Sequence, residues 1–323
     1  MTRVLVTGGS GFLGSHVTSV LAGRDDVELV VSADVRRGES REGVIDTVLD
    51  VTDPAVLAPA LREHRIDTVV HLAAIVNPGR DVDLEYRVDV TGSANVLAAC
   101  VETGVRRIVV SSSGAAYGYH ADNPEWIDED HPLRPSDAFP YSRHKGMVED
   151  MLAAHRRRHP ELEQVVFRIG TILGPTVRNQ ITALWDGRFI LRIAGSVSPF
   201  VFVWIDDVAA AIARAATDGP PGVFNVAGDG RMTVPDIAER LGKRQLVIPS
   251  WMLAAALAAG RLLRLTEHGP EKVRFLQHRP VLSNRRLNEE FGFTPARTSR
   301  EAFEAYVATH PEVARPDRAH QPG

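Results

Sequence analysis

A tyrosine and a lysine lie four residues apart in the segment Tyr141-Ser142-Arg143-His144-Lys145. If this segment opens a helix, the spacing puts both side chains on one helix face. A free phenol is a poor base at neutral pH, and a neighbouring ammonium stabilises its phenolate form. The pair could therefore exchange a proton with a substrate hydroxyl. The same spacing also arises by chance on exposed helices, so the residues that precede the pair must show whether it belongs to an active site.

Three consecutive serines, Ser111 to Ser113, end a β-branched run before this pair, and Gly114 follows them. A hydroxyl at the carboxyl end of a parallel strand faces the ligand crevice of the sheet. There it can hydrogen-bond a substrate carbonyl or alkoxide. A serine-rich turn would explain any one of these residues but explains the set poorly.

Glycines recur at Gly8, Gly11 and Gly14, directly after the first strand-like run and before a helical pattern. Gly8 permits a tight turn, Gly11 lets the backbone approach a pyrophosphate, and Gly14 lets helix and strand pack closely. The amino end of the helix supplies free N–H groups and a positive dipole for that phosphate. The pattern predicts a dinucleotide site, against the alternative of a tight turn without a ligand.

Asp34 follows this loop by about twenty residues and ends the second strand-like run. A carboxylate there accepts hydrogen bonds from the adenosine ribose and repels a 2′-phosphate, which favours NAD. Arg36 and Arg37 follow directly and could bind that phosphate, so NADP stays open.

Short β-branched runs alternate with helix-length amphipathic segments through the first half of the chain. This alternation predicts an α/β fold with a doubly wound parallel sheet, of the Rossmann type. The strand-like runs are 3–6, 28–31, 47–49, 68–71, 107–110 and 164–167, and the helical patterns are Phe12–Ala22, Pro54–His64, Val82–Glu102 and Tyr141–Arg158.

The alternation of strand-like and helical segments ends after Arg168, and the later residues are rich in glycine and proline. We expect a dinucleotide-binding domain over 1–170, to which 200–227 return with a strand, a helix and another strand. A smaller, mostly helical substrate lobe would take 171–199 and 228–310, with 171–200 rich in loops. Residues 311–323 would form a flexible tail.

The chain of 323 residues carries a net charge of −4, which argues against nucleic-acid binding. Its single cysteine, Cys100, lies in an apolar run, so we expect a buried thiol, no disulfide and no metal site. The pair His155/His159 lies beside three arginines, which disfavours a metal there too.

The most apolar stretch runs from Trp251 to Leu265 but contains Arg261 and Arg264, so it falls short of the roughly 20 residues of a membrane span. We expect a helix packed on its own protein, with a membrane-surface helix as the alternative. No signal segment opens the chain, and we expect a cytoplasmic protein without membrane insertion.

Together these motifs resemble the extended short-chain dehydrogenase/reductases, in the branch of NAD-dependent epimerases and dehydratases that act on nucleotide sugars. The resemblance covers residues 2–230 well and the remainder loosely. It is carried by the glycine loop, Asp34, Asp50-Val51, His71-Leu72-Ala73-Ala74, the serine-rich strand end, Tyr141/Lys145, Arg168 through Gly174-Pro175, and the segment 202–209.

The resemblance implies Tyr141 as acid/base, Lys145 as the residue that holds the nicotinamide ribose, and Ser113 as the catalytic serine. It implies substrate contacts from Ser113, Gly114, Thr171 and Arg178, and a homodimer formed through the two longest helices. The implied cofactor contacts are Gly8, Ser10, Gly11, Phe12, Leu13, Gly14, Asp34, Arg36, Asp50, Val51, Leu72, Ala73, Ala74, Ser111, Tyr141, Lys145 and Arg168.

Several positions depart from the family pattern. Sugar dehydratases carry an acid directly after the catalytic hydroxyl, whereas here Gly114 and Ala115 follow Ser113, which disfavours dehydration. Asp89 and Thr171 stand where relatives often have asparagine, and Trp204 replaces the usual histidine.

Three functions remain open from the sequence. The favoured one is epimerisation of a nucleotide sugar by hydride transfer to and from bound NAD. The second is a ketoreductase or alcohol dehydrogenase acting on a less polar, natural-product-like ketone. The third, a non-catalytic dinucleotide sensor, is disfavoured because a sensor does not need Ser113, Tyr141 and Lys145 together.

Overall fold

A parallel seven-stranded sheet forms the centre of the protein, seen in a computed structural model that describes residues 1–39, 41–76, 81–263 and 269–314. The strands are β1 (Thr2–Thr7), β2 (Val27–Asp34), β3 (Val44–Val48), β4 (Thr68–His71), β5 (Arg107–Ser113), β6 (Glu163–Ile169), β7 (Thr171–Leu173), β8 (Phe189–Ile193), β9 (Phe202–Trp204), β10 (Gly222–Val226) and β11 (Arg244–Ile248). The order across the sheet is β10-β6-β5-β4-β1-β2-β3. The predicted doubly wound fold is therefore confirmed.

Helices cover both faces of this sheet and extend into the region after it. They are α1 (Phe12–Ala22), α2 (Pro54–Glu63), α3 (Val82–Tyr86), α4 (Gly92–Thr103), α5 (Pro140–Arg158), α6 (Ile205–Thr217), α7 (Val234–Arg240), α8 (Ser250–Leu262), α9 (Lys272–Gln277), α10 (Arg285–Glu289) and α11 (Ser299–Thr309). Helix α1 packs against α6, and α2 packs against α4.

The continuous apolar strands are explained by burial on two sides. In β1, Val4 and Val6 belong to one core with α1 and α6, while Leu5 between them belongs to a second core with α2, α4 and α5. Successive side chains of a strand point to opposite faces, so a strand covered on both faces must be apolar throughout. Cys100 lies in the second core and is fully buried, as predicted.

The long helix predicted over Val82–Glu102 contains an irregularity. A single π-helical turn over Arg87–Thr91 joins α3 to α4. Such turns insert one extra residue and recur at functional sites. Here the turn carries Asp89, whose buried side chain faces the catalytic helix, as described below.

A third core lies beyond the main sheet, around Trp185, Phe202 and Phe303. Two small parallel sheets, β7–β9 and β8–β11, lie in this part of the chain. The region 171–200, predicted to be rich in loops, thus also contains the short strands β7 and β8. Strand β8 pairs with β11, more than fifty residues later, and no local pattern reveals so distant a partner.

Two further expectations for the carboxyl-terminal part need correction. Helix α8 packs on its own protein through α9, but none of its residues is fully buried, so the expectation holds for one side of the helix only. The expected tail from 311 begins with a helical turn, Pro311–Val313, in which Val313 is buried. Residues 315–323 of that tail lie outside the described residues.

Candidate functional site

One cleft of about 830 Å³ lies at the carboxyl ends of the central strands. Strand order reverses between β4 and β1, and ligands of open parallel sheets bind at such a reversal. The cleft continues towards residues that follow β6 and towards α9. The predicted residues that line it are Gly8, Gly11, Phe12, Leu13, Gly14, Asp34, Asp50, Val51, Leu72, Ala73, Ala74, Ser111, Ser113, Gly114, Tyr141, Lys145, Thr171 and Arg178.

The glycine loop has the shape that a pyrophosphate requires. Gly8 has a φ of +69°, and a Cβ there would come within 2.8 Å of the backbone nitrogen of Ala73. A Cβ on Gly14 would overlap the carbonyl oxygen of Gly8. Helix α1 begins at Phe12 with no capping side chain and no acid in its first turn. Its first amides are thus free to donate to a phosphate.

Asp34 and Asp50 line the end of the cleft that follows β2 and β3. The Asp34 carboxylate accepts a hydrogen bond from the Ser10 backbone N–H at 3.1 Å, which fixes it beside the glycine loop. Ser10 itself is not among the residues that line the cleft, and its hydroxyl donates to the carbonyl of Arg36. The exposed Arg36 does not line the cleft either.

Tyr141 and Lys145 lie on the first turns of α5, which proline opens at Pro140. The Lys145 Nζ lies 5.6 Å from the centroid of the Tyr141 ring and donates to the Ser111 carbonyl at 2.8 Å. Within the described ranges, Lys145 is buried and has no carboxylate partner. Two of its three N–H donors are thus available to a ligand.

The start of α5 is tied to the serine-rich strand end. The Ser142 hydroxyl donates to the Ala115 carbonyl at 2.7 Å and accepts from the Ser136 N–H at 2.9 Å. The Ser113 Oγ accepts the Ala115 N–H at 3.1 Å. These contacts hold Ser113 and Tyr141 on the same wall of the cleft.

Behind this wall, Asp89 joins the cofactor side to the catalytic helix. Its Oδ1 accepts the Ile75 N–H at 2.8 Å, and its Oδ2 lies 3.2 Å from the Nδ1 of His144. Ile75 lines the cleft, and His144 precedes Lys145 on α5. The sequence marked Asp89 only as a departure from the family pattern and did not find His144.

A buried histidine extends this polar network below the glycine loop. His71 Nδ1 lies 2.7 Å from the Thr7 hydroxyl, and its Nε2 lies 2.9 Å from that of Ser93. Burial, together with the charge of Lys145, lowers the pKa of His71 to about 3. The ring is therefore neutral at physiological pH.

The far end of the cleft carries cations that the sequence did not predict. The Arg279 guanidinium lies 3.9 Å from the centroid of Phe200, and its nearest acceptor is the Ser198 carbonyl at 3.5 Å. The Arg279 Nε is buried without a hydrogen-bond partner. Burial lowers the pKa of Arg279, but from a value so high that the group stays charged at neutral pH.

Lys272 is the second cation at this end. Its Nζ donates to the side-chain oxygen of Gln180 at 2.9 Å and lies 4.9 Å from the centroid of Phe275. Burial lowers the pKa of its ammonium. The predicted Arg178 also lines this end, with a mostly exposed side chain 3.6 Å from Glu312.

Aromatic rings surround these cations. The Tyr119 ring lies edge-on to Phe139 and to Phe275, at centroid distances of 5.0 Å and 5.1 Å. Burial raises the pKa of the Tyr119 phenol, so it stays protonated. No sequence motif marks Tyr119, Lys272 or Arg279, because they come together only through packing of the carboxyl-terminal third of the chain on the sheet.

Arg168 does not reach the cleft. Its Nε and Nη2 donate to the Glu149 carboxylate at 2.9 Å and 2.7 Å, and its Nη1 donates to the Tyr117 hydroxyl at 2.8 Å. All three residues are buried. Arg168 therefore pins β6 to α5, and it is not among the residues that we propose for the cofactor.

Trp204 lies outside the cleft as well. Its Nε1 donates to Asp206 at 3.0 Å, and Arg297 stacks on its ring at 5.1 Å. Among residues 1–39, 41–76, 81–263 and 269–314, no cluster of three or more metal-ligating side chains occurs.

The model of the NAD dependent epimerase/dehydratase family matches residues 4–227. The chain belongs to that family and is an enzyme of the extended short-chain dehydrogenase/reductase class. A UDP-glucose 4-epimerase of Azospirillum brasilense is 36% identical over 179 residues, which span 53% of this chain and 49% of that protein. An uncharacterized Mycobacterium tuberculosis protein, Rv0501, is 28% identical over 94% of this chain and 82% of its own length.

Among solved structures, the UDP-glucose 4-epimerase of Thermus thermophilus in complex with NAD is similar over nearly the whole chain. The TM-score is 0.74 at 28% identity, with 96% of this chain and 99% of the other covered. The match extends beyond the dinucleotide half, so it includes the region that carries Lys272 and Arg279.

Proposed function

We propose that this enzyme epimerises a nucleotide sugar by reversible, NAD-dependent hydride transfer at a secondary alcohol. One observation carries the proposal. Ser113, Tyr141 and Lys145 lie in a single cleft whose cofactor end is acidic, through Asp34 and Asp50, and whose other end is cationic.

The cofactor end fits NAD. The free amides of α1 suit a pyrophosphate, Asp34 suits the ribose hydroxyls, and Lys145 has donors to spare for the second ribose. When bound, NAD would supply the nicotinamide ring that accepts the hydride. NAD is favoured over NADP because Asp34 lines the cleft, whereas the exposed Arg36 and Arg37 do not.

Tyr141 takes the proton of the substrate hydroxyl on its Oη as the carbon is oxidised. After the ketone has rotated in the cleft and is reduced again, Tyr141 returns the proton to the substrate oxygen. The Lys145 ammonium, 5.6 Å from the centroid of the Tyr141 ring, favours the negative charge that the ring carries once the hydroxyl has given up its proton. The Ser113 hydroxyl donates to the substrate oxygen and holds it against Tyr141.

Dehydration is disfavoured by the lining of the cleft. A dehydratase needs a group that removes a second proton beside the ketone. Gly114 and Ala115 follow Ser113, and Asp34 and Asp50, at the cofactor end, are the only carboxylates lining the cleft in the described part of the chain.

The cationic end supports a substrate with a diphosphate. A partly buried guanidinium without a counter-charge costs desolvation energy, and a ligand anion would offset that cost. Arg279 has no carboxylate partner among the described residues, and Lys272 has only an amide oxygen. A nucleotide diphosphate is the anion that a sugar substrate carries into such a site.

The aromatic wall supports a second candidate, reduction of a less polar ketone. Tyr119, Phe139, Phe200 and Phe275 would bury an apolar substrate with no need for its charge. The same catalytic residues would then act with a cofactor that exchanges in every turnover.

The retention of the cofactor separates these functions. For an epimerase, purified protein should keep NAD through gel filtration and convert UDP-glucose with no net NADH, as followed by proton NMR and absorbance. Stoichiometric oxidation of added NADH by a neutral ketone, without conversion of any nucleotide sugar, would support the reductase and contradict the proposal.

A further inference from the structure

Helix α8 presents an apolar face to solvent. Trp251, Met252 and Leu262 are 70%, 46% and 83% exposed, and Leu263, which follows the helix, is 66% exposed. Surface helices usually turn charged residues outwards, whereas Arg261 is the only charged residue between Ser250 and Leu263. Contiguous exposed apolar surface of this kind marks a binding face.

Strand β11 leads directly into this helix and also exposes apolar residues. Its Leu246 and Val247 are about half exposed, and only Pro249 separates the strand from α8. Because successive strand residues point to opposite faces, we restrict the surface to the helix and call Trp251, Met252, Leu262 and Leu263 the α8 patch.

The segment that carries the α8 patch is cationic. The sequence from Lys243 to Leu263 holds Lys243, Arg244 and Arg261 and no carboxylate, although the whole chain has a net charge of −4. Lys243 donates to the Trp185 carbonyl, and Arg261 lies 3.5 Å from Glu271. Arg244 is exposed and, within the described residues, has no ion pair. This surface therefore complements an anionic one.

A second copy of the chain fits the α8 patch poorly. In a two-fold contact each residue meets the same patch of its partner. Cations of the segment 243–263 would then face cations, with no carboxylate of that segment to pair with them.

The shape and composition favour a lipid surface. Trp251 lies in the first turn of α8, and tryptophan prefers the boundary between lipid and water. The helix is also far shorter than a span, and no helix in the described part of the chain is long and apolar enough to cross a membrane. We propose that the α8 patch docks on an anionic lipid bilayer, with α8 lying in the plane of its surface.

This docking would place the cleft beside the bilayer. Helix α8 packs against α9, and Lys272 and Phe275 of α9 line the cleft. The inference does not depend on the identity of the substrate, so it can fail or hold separately from the proposed function.

Vesicle flotation of the full chain tests the proposal. The protein should float with vesicles of phosphatidylcholine and phosphatidylglycerol, bind pure phosphatidylcholine weakly, and lose binding as salt is raised. Trp251→Ser and Leu262→Ser should each weaken binding by roughly tenfold, because each removes a large apolar side chain from the contact. Arg244→Glu should weaken it as well.

Trp126→Ser is the matched control, because Trp126 is 41% exposed and lies outside the α8 patch. It should bind vesicles as the parent does, and circular dichroism checks that every variant is folded. Absence of flotation with anionic vesicles would overturn the proposal, as would unchanged binding by folded Trp251→Ser and Leu262→Ser variants. Self-association that these two variants abolish, without vesicle binding, would assign the α8 patch to a second copy instead.

Discussion

The two ends of the cleft are built in different ways. The cofactor end comes from short motifs within the first 76 residues, each at the end of a strand of one sheet. The other end combines Arg178, Lys272 and Arg279, which come from segments about one hundred residues apart. The first end would bind the cofactor for chemistry that many relatives share, whereas the second end would determine which substrate binds. Variants at each end should therefore fail in different ways.

Tyr141→Phe should give the largest effect. Removing the phenol hydroxyl takes away the acid/base, and turnover should fall by roughly a thousandfold while NAD is still retained. Rates under substrate saturation and the NAD content after gel filtration measure the two quantities. Tyr86→Phe, outside the cleft, is the control. Full activity in Tyr141→Phe would contradict the assignment of Tyr141 as the acid/base between the two ends of the cleft.

Gly14→Ala should impair the cofactor end alone. The new Cβ would overlap the Gly8 carbonyl and push α1 away from the loop. Overpacking of this size should weaken NAD binding by about a hundredfold, measured by calorimetry on protein stripped of nucleotide. Gly23→Ala at the end of the same helix meets nothing closer than 3.7 Å and should bind NAD normally. Equal affinities would show that the loop does not hold the cofactor.

Arg279→Met should impair the substrate end alone. The variant loses a charge-assisted contact, so the KM for a nucleotide sugar should rise roughly tenfold with little change in NAD affinity. Arg285→Met, at an exposed position outside the cleft, is the control. An unchanged KM for the sugar, combined with activity on neutral ketones, would instead favour the reductase.

The last prediction concerns stability and pH rather than activity. The pKa of His71 is about 3 in the folded protein, against 6.5 for a free histidine. Below pH 6.5 the unfolded chain binds a proton that the native protein does not, so stability falls as pH falls towards 3. The slope from this residue is about 1.4 kcal/mol per pH unit. In urea unfolding, His71→Gln should flatten this dependence, and an equal slope in both proteins would contradict the assignment.

The sequence predicted what local geometry dictates. The glycine loop and the Tyr141/Lys145 spacing each lie within one turn or one helix, so their positions in the cleft follow from the fold. Arg168 was predicted to contact the cofactor, and nothing local shows that its guanidinium instead binds Glu149 on a neighbouring helix. Arg279 was not predicted, because only long-range packing shows that its Nε is buried without a hydrogen-bond partner.

The sequence predicted the helix α8 but not the exposure of its apolar face. The apolar run identified the helix, but composition alone cannot tell whether such a helix is covered by the rest of the chain. That depends on how many neighbours the fold provides, and here α9 covers one side of the helix while the other side stays exposed.

The most direct test of the account follows a deuterium atom at C4 of UDP-glucose through the reaction. If hydride passes to bound NAD and back, proton NMR in ordinary water should show the 4-epimer forming with the deuterium still at C4. Tyr141→Phe should form the epimer roughly a thousandfold more slowly. Replacement of the deuterium by solvent hydrogen, or an absence of epimer together with accumulation of NADH, would contradict the central claim.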